Sequence, residues 1–257
     1  MKETRKYCLT KKTREVDGHV LHRIKALVGI SRFSVNPGDL GGWIESEENL
    51  SHDGDAWVLD EAVIYGDARV SGNARVDGNA QVFGNAKVYD NVWIRDYAKV
   101  FGFAEVYEGA WVVGYAQIYG HARYYGRYGE IGGNAQVYGS AHIKSSVKIS
   151  DFAQVYGSAL VYDHAQIFGY AVVSGNARVF SDARISGHAQ VFGHAEVCDF
   201  AEVRGNAKVH DYAKVSGCYT QVFDEAEVYG NARVFYGSVI CGSARVSKEI
   251  RGEYVMR

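Results

Sequence analysis

Six histidines, His121, His142, His164, His188, His194 and His210, are the side chains of this 257-residue chain best suited to chemistry near neutral pH. An imidazole within hydrogen-bond reach of an acceptor hydroxyl or amine serves as a general base. Three imidazoles converging on one ion at about 2.1 Å hold zinc. The spacing argues against both. His121, His164, His188 and His194 stand at one place in a repeated hexad, the second residue of a corner, and read as corner filler before catalytic base. His188 and His194 are one hexad apart, so they point apart from successive corners. Their neighbours one coil away are Tyr170 and Asn206 for His188, and Asn176 and Tyr212 for His194. No metal site is expected. Cys8, Cys198, Cys218 and Cys241 lack a metal spacing such as C-x-x-C and read as reduced thiols. Glycine recurs at six-residue spacing as a corner residue, so a chance match to a phosphate-cradling pattern carries no weight.

The element that must position these residues is the hexad itself, A-x-V-x-G-N, as in Ala68-Arg-Val-Ser-Gly-Asn73. Its Val position runs from Val58 to Tyr124 without a slip, resumes after one extra residue at Ile131, and continues to Val215. After a second extra residue it runs from Val222 to Val246. Ala and Val lie two apart, so both point to one face of a short strand while the residue between them points out. Gly and Asn then supply the left-handed backbone of a sharp corner. Three strands and corners close a triangular coil of 18 residues, and coils stack at the strand spacing of about 4.8 Å. The fold is therefore all-β, a single-stranded parallel β-helix of about ten or eleven coils.

The domain reading is a capping hairpin and loop over 1–55, the solenoid over 56–246 and a capping tail over 247–257. Lys6–Thr10 pairs with His19–Ile24 across Asp17-Gly18, and the Asn36–Gly42 loop leads to Trp43 and Ile44. An open solenoid end exposes unpaired strand edges, which favours a cap over a binding loop here. Composition adds 30 Gly, one Pro and 19 Tyr, with no sustained 3.6-residue apolar period. A net charge of −2 gives no field for nucleic acid or anionic membrane. The charged opening segment lacks a signal peptide's apolar core, and no run approaches a membrane span; a cytoplasmic location is expected.

Stacking the coils lays out the outer faces. One presents Tyr65, Phe83, Phe101, Tyr119, Tyr138 and Tyr156 in line, and a second presents Tyr89, Tyr107 and Tyr125. The third carries Leu59, Asp77, Arg95 and Val113 beside a column of Trp57, Arg75, Trp93 and Trp111. Such ladders stack on themselves, each pair worth about 0.5–1.5 kcal/mol beyond burial. Long apolar stripes also mark contact surfaces. The tryptophan column with Leu59, Val113, Arg75 and Arg95 is the sharpest candidate interface, because large aromatics beside Arg are typical of interface centres.

The hexads resemble the hexapeptide-repeat superfamily of left-handed β-helices, a resemblance from which the handedness is taken. Lys6-Tyr-Cys-Leu-Thr10, His22-Arg-Ile-Lys-Ala26, Pro37-Gly-Asp-Leu-Gly-Gly-Trp-Ile-Glu45, Glu48-Asn-Leu-Ser51 and Gly54-Asp-Ala-Trp-Val58 are similar to the N-terminal region of YdcK-type solenoid proteins. That resemblance implies a bacterial or phage source. The transferase label such proteins carry rests on the repeat alone. Many members of the superfamily are acyltransferases using acetyl-CoA or another acyl-CoA, with a loop thrown out of a coil and a cleft between subunits. No coil here throws out more than one residue. The expectation is thus a non-catalytic scaffold that binds protein or itself, without a cofactor, as a dimer or trimer rather than a monomer. The alternative is an acyl-CoA-dependent enzyme with one of the histidines as base.

Overall fold

Strands of two or three residues, each carrying an inward Val, Ile or equivalent, alternate with corners along most of the chain. The computed structural model describes residues 5–257 and divides into two compact units, 1–125 and 126–257. The division falls after Tyr125, at the first single-residue insertion. Both units are parallel β-solenoid, about 12 coils in all, with almost no helix.

Each strand pairs in parallel with the one a coil later. In the first unit Trp93 and Ile94 lie beside Trp111 and Val112, Lys99 beside Gln117 and Glu105 beside Arg123. In the second unit Arg184 lies beside Glu202, and Glu202 beside Gln221 across the second insertion. The inward Ala and Val or Ile side chains are sealed from solvent from Ala56 and Val58 to Ala244 and Val246. Burial stabilises each branched side chain by about 1.5–3 kcal/mol, an upper estimate. Tyr124 takes the Val place, while Thr220 and Ser238 take the Ala place, all buried.

The corners differ from the sequence reading in one respect. In the regular corner the first residue is left-handed, Gly72 at φ +67 for example, whereas Asn73 behind it is not; at Glu108-Gly109 and Tyr236-Gly237 both residues have positive φ. Asn and His are therefore not chosen there for backbone freedom. A Cβ at Gly72 would also lie 2.6 Å from the Asp90 amide nitrogen one coil on. At several corners where Asp replaces Gly, its carboxylate offsets the left-handed strain by accepting the next coil's amide. Gly78 donates to Asp60 at 3.1 Å, Gly114 to Asp96 at 3.1 Å and Gly169 to Asp151 at 2.9 Å.

The ends belong to the coil more fully than expected. β1 (Tyr7–Val16) and β2 (His19–Ala26) form the antiparallel hairpin, longer than the predicted pairing. Asp17 and Gly18 turn at φ +50 and +82, the two positive angles of a type I′ turn. β3 (Leu40–Ile44) pairs antiparallel with β2 and parallel with Val63–Ile64. Ile44 lies beside Ile64, and Leu50 beside Val70, so hexad register starts before Ala56. Virtual Cβ atoms on Gly41 and Gly42 would come within 2.6 Å of Ile24 and 2.5 Å of Val58, which makes this loop a packed cap. At the other end Ile250 pairs beside Val234 and Val255 beside Ile240. These partial coils raise the count above the expected ten or eleven.

Candidate functional site

The column that holds Trp57, Arg75, Trp93 and Trp111 is in register, each residue pairing with the next. Its members do not share one environment. Trp57 is fully buried, with the Tyr7 ring edge-on at 6.2 Å, and its indole N–H has no hydrogen-bond partner among the described residues. Tyr7 is held there by its hydroxyl, which donates to the Leu50 carbonyl at 2.7 Å. Trp57 therefore drops out of the expected open patch, because the hairpin covers it. Tyr65 is withdrawn in the same way: it is buried against Leu21, Trp43 and Val63, and its hydroxyl donates to Asp17 at 2.7 Å.

Below Trp57 the chain covers the column with its own loop. Phe33 lies 5.7 Å from the Arg75 guanidinium, which lies 5.4 Å from the Trp93 ring. Arg32 in the same loop donates to Asn91 at 2.9 Å. Arg75 is held near both rings by Asp77, itself buried, at 2.6 Å. Each cation–ring contact contributes on the order of 0.5–2 kcal/mol. Trp93 then stacks on Trp111 at 5.3 Å and 9°, and Trp111 remains 43% exposed. Leu59 and Val113 flank the column half-buried, and Arg95 stands exposed 3.9 Å from Asp77.

The predicted ladders form. Tyr65, Phe83, Phe101 and Tyr119 stack at 5.0, 4.8 and 4.8 Å, and in the second unit Tyr138 stacks on Tyr156 at 4.8 Å. Tyr89, Tyr107 and Tyr125 follow at 4.9 and 5.1 Å. The strand spacing is itself a ring-stacking distance. Beyond Tyr65 these flat-face rings are half-buried by one another. The more exposed rings lie at corners, outside the expected flat-face columns. Tyr97 stacks on Tyr115 at 4.9 Å and Phe152 on Tyr170 at 5.0 Å, these four rings about half exposed. Their 18-residue spacing was the available signal.

The corner histidines belong to these ladders. His121 stacks on Phe103 at 4.9 Å, His188 on Tyr170 at 4.8 Å and His194 on Tyr212 at 4.8 Å. His210 lies on a flat face, 4.7 Å from Phe192 and 2.8 Å from Glu227. His142 points outward from the strand His142–Lys144, and His164 stands exposed at a corner. Among the described residues no three His, Cys, Asp or Glu side chains gather as a metal would need. Of the thiols, Cys198 is buried and pushed up to about 11, by burial first and then by Asp199.

Parallel strands that return to one register every coil, around a core of Ala and Val, define a parallel β-solenoid. Within it, residues 62–78 match the family model of the YdcK β-solenoid repeat. That span covers the hexads of Ile64, Val70 and Val76. Comparison with curated proteins gives no match.

Proposed function

We propose that this solenoid is a non-catalytic scaffold that binds a protein segment, a second copy of itself included, along the Trp93–Trp111 column. One observation carries the reading: the chain's own loop already occupies the upper half of that column, with Phe33 on Arg75, while the stack beneath it runs on to an open Trp111. Stacked indoles beside Arg95 and Val113 have the makeup of an interface centre, and their desolvation favours association. Acyl transfer is less well supported, since His121, His188 and His194 are spent in ring stacks. The scaffold reading needs no cofactor and no metal.

The test is Trp93→Glu with Trp111→Glu. Native mass by light scattering, or the yield of co-purifying protein, falls in the double variant while circular dichroism and the unfolding midpoint hold. Unchanged association would leave the column as surface decoration. Calorimetric titration with acetyl-CoA separates the alternative: saturable micromolar heat supports an acyl-CoA enzyme and overturns the scaffold.

A further inference from the structure

The second single-residue insertion, Gly217–Thr220, opens a cleft of about 450 Å³ on the outer surface of the second unit. That is within the ordinary size range of small-ligand sites, about 300–1,000 Å³. Its floor is a column of four outward side chains on successive coils, Gln166, Arg184, Glu202 and Gln221. Phe200 and Tyr219 border it from the neighbouring corner, together with Asp182.

Three features coincide at this place. First, its charged groups are unspent. Arg178 and Glu196, an adjacent strand pair in the same register, join at 2.7 Å, whereas Arg184 and Glu202 form no ion pair with each other or with any described residue. Second, its rings are unspent. Corner rings one coil apart elsewhere stack at 4.8–5.0 Å, as Phe152 does on Tyr170 and Tyr170 on His188. Phe200 and Tyr219 form no such stack, because the extra residue takes Tyr219 to φ +62 and leaves it 84% exposed, with Phe200 56% exposed. Third, the wall is built rather than loose. The buried Thr220 hydroxyl donates to the Ser216 carbonyl at 2.8 Å and accepts the Gly237 amide at 3.1 Å, pinning the insertion to the next coil.

The chemistry of the lining selects its ligand. Two carboxylates against one guanidinium disfavour an anion, and Arg184 disfavours a bare cation. An apolar ligand would desolvate Arg184 and Glu202 without partners, which is costly. A peptide adding as a strand needs a free backbone edge, and the floor has none: Arg184 N–H donates to Ala201 at 3.0 Å, Glu202 to Thr220 at 2.9 Å and Gln221 to Ser238 at 2.9 Å. What remains is a neutral molecule with hydroxyl donors and acceptors on its edges and an apolar C–H face for the rings. Four rungs at strand spacing extend over roughly 14 Å, longer than one sugar ring. We propose that this cleft binds a neutral oligosaccharide, its hydroxyls on Gln166, Arg184, Glu202 and Gln221 and its ring faces against Phe200 and Tyr219.

The site is separate from the Trp93–Trp111 column, so either can fail without the other. The experiment is binding of the full-length protein to an array of neutral and charged glycans, beside Tyr219→Ala, Phe200→Ala and, as control, Trp111→Ala. Retention of neutral glycans that weakens about tenfold or more in the two cleft variants and is unchanged in the control supports the proposal. The retained glycan should also slow iodoacetamide labelling of Cys218, an exposed thiol on the cleft wall. Retention of no neutral glycan overturns it, as does neutral-glycan binding that survives both cleft substitutions or binding confined to anionic glycans.

Discussion

Lys6 is the one buried lysine or arginine among the described residues. It is 3% exposed, and its ammonium donates to the carbonyls of Ala56 at 2.8 Å and Gly54 at 3.1 Å. Burial pulls it down to about 8, with Asp55 and Asp53 acting in the opposite sense. An unfolded lysine holds its proton to about 10.5, so between about pH 8 and 10.5 the unfolded chain binds more protons and folding strengthens as pH rises. Tyr7 and Tyr65 oppose this above about pH 10. Burial raises both phenols, so the unfolded chain loses those protons first and stability falls. Urea midpoints of the first unit should therefore climb from about pH 8 toward 10 and then decline. Lys6→Met should abolish the climb and keep the decline; a flat wild-type profile would refute the burial argument.

The corner is the element on which the coil depends, and its two residues have different tasks. The first must be left-handed, which Gly takes freely and Asp takes with its carboxylate on the next coil's amide. Gly72→Ala should lower stability by roughly 1–3 kcal/mol, because it adds both a strained φ and a clash with the Asp90 amide. Asp96→Gly should change it by no more than about 1 kcal/mol, since the lost bond to Gly114 is offset by a relaxed backbone. Denaturant unfolding of the two variants measures the contrast, and equal losses would contradict it. The hexad made the corner legible, but not which of its residues is left-handed, since Gly and Asn both tolerate that backbone. The register of the flat-face rings was legible in their 18-residue spacing; the Lys87, Glu105 and Arg123 ladder at 3.7 and 3.2 Å, which the sequence reading did not lay out, follows the same spacing.

At the scale of the whole molecule the question is how a one-dimensional stack ends. The hairpin closes the first unit by burying Trp57 and Tyr65 and by gripping Glu61, which accepts Arg23 at 2.6 Å, Trp43 at 2.9 Å and Arg14 at 3.1 Å. Those donors, Arg23 foremost, hold the Glu61 carboxyl below its usual range. A chain lacking residues 1–39 would present Trp57, Tyr65 and the edge of β3 to solvent. It should form soluble aggregates by light scattering at concentrations where the full chain is monodisperse or a defined oligomer. A truncated chain with the native mass would show that the hairpin is not a cap.

The hexad by itself determined the solenoid, its inward and outward residues and its ladders, because side-chain direction in a strand is a local property with a period of two. Outside the hexad, the Asp17-Gly18 turn foretold the hairpin, and the 18-residue spacing foretold the stacking of Tyr65 through Tyr119. Tertiary structure alone decided which outward residues meet solvent. Trp57 and Trp111 hold the same place in the repeat, yet one is sealed beneath Tyr7 and the other is open. Phe200 and Tyr219 are spaced like a stacking pair plus one residue, and that one residue leaves both rings free beside a cleft. Exposure depends on what a distant segment folds across, and no period within the repeat carries that information.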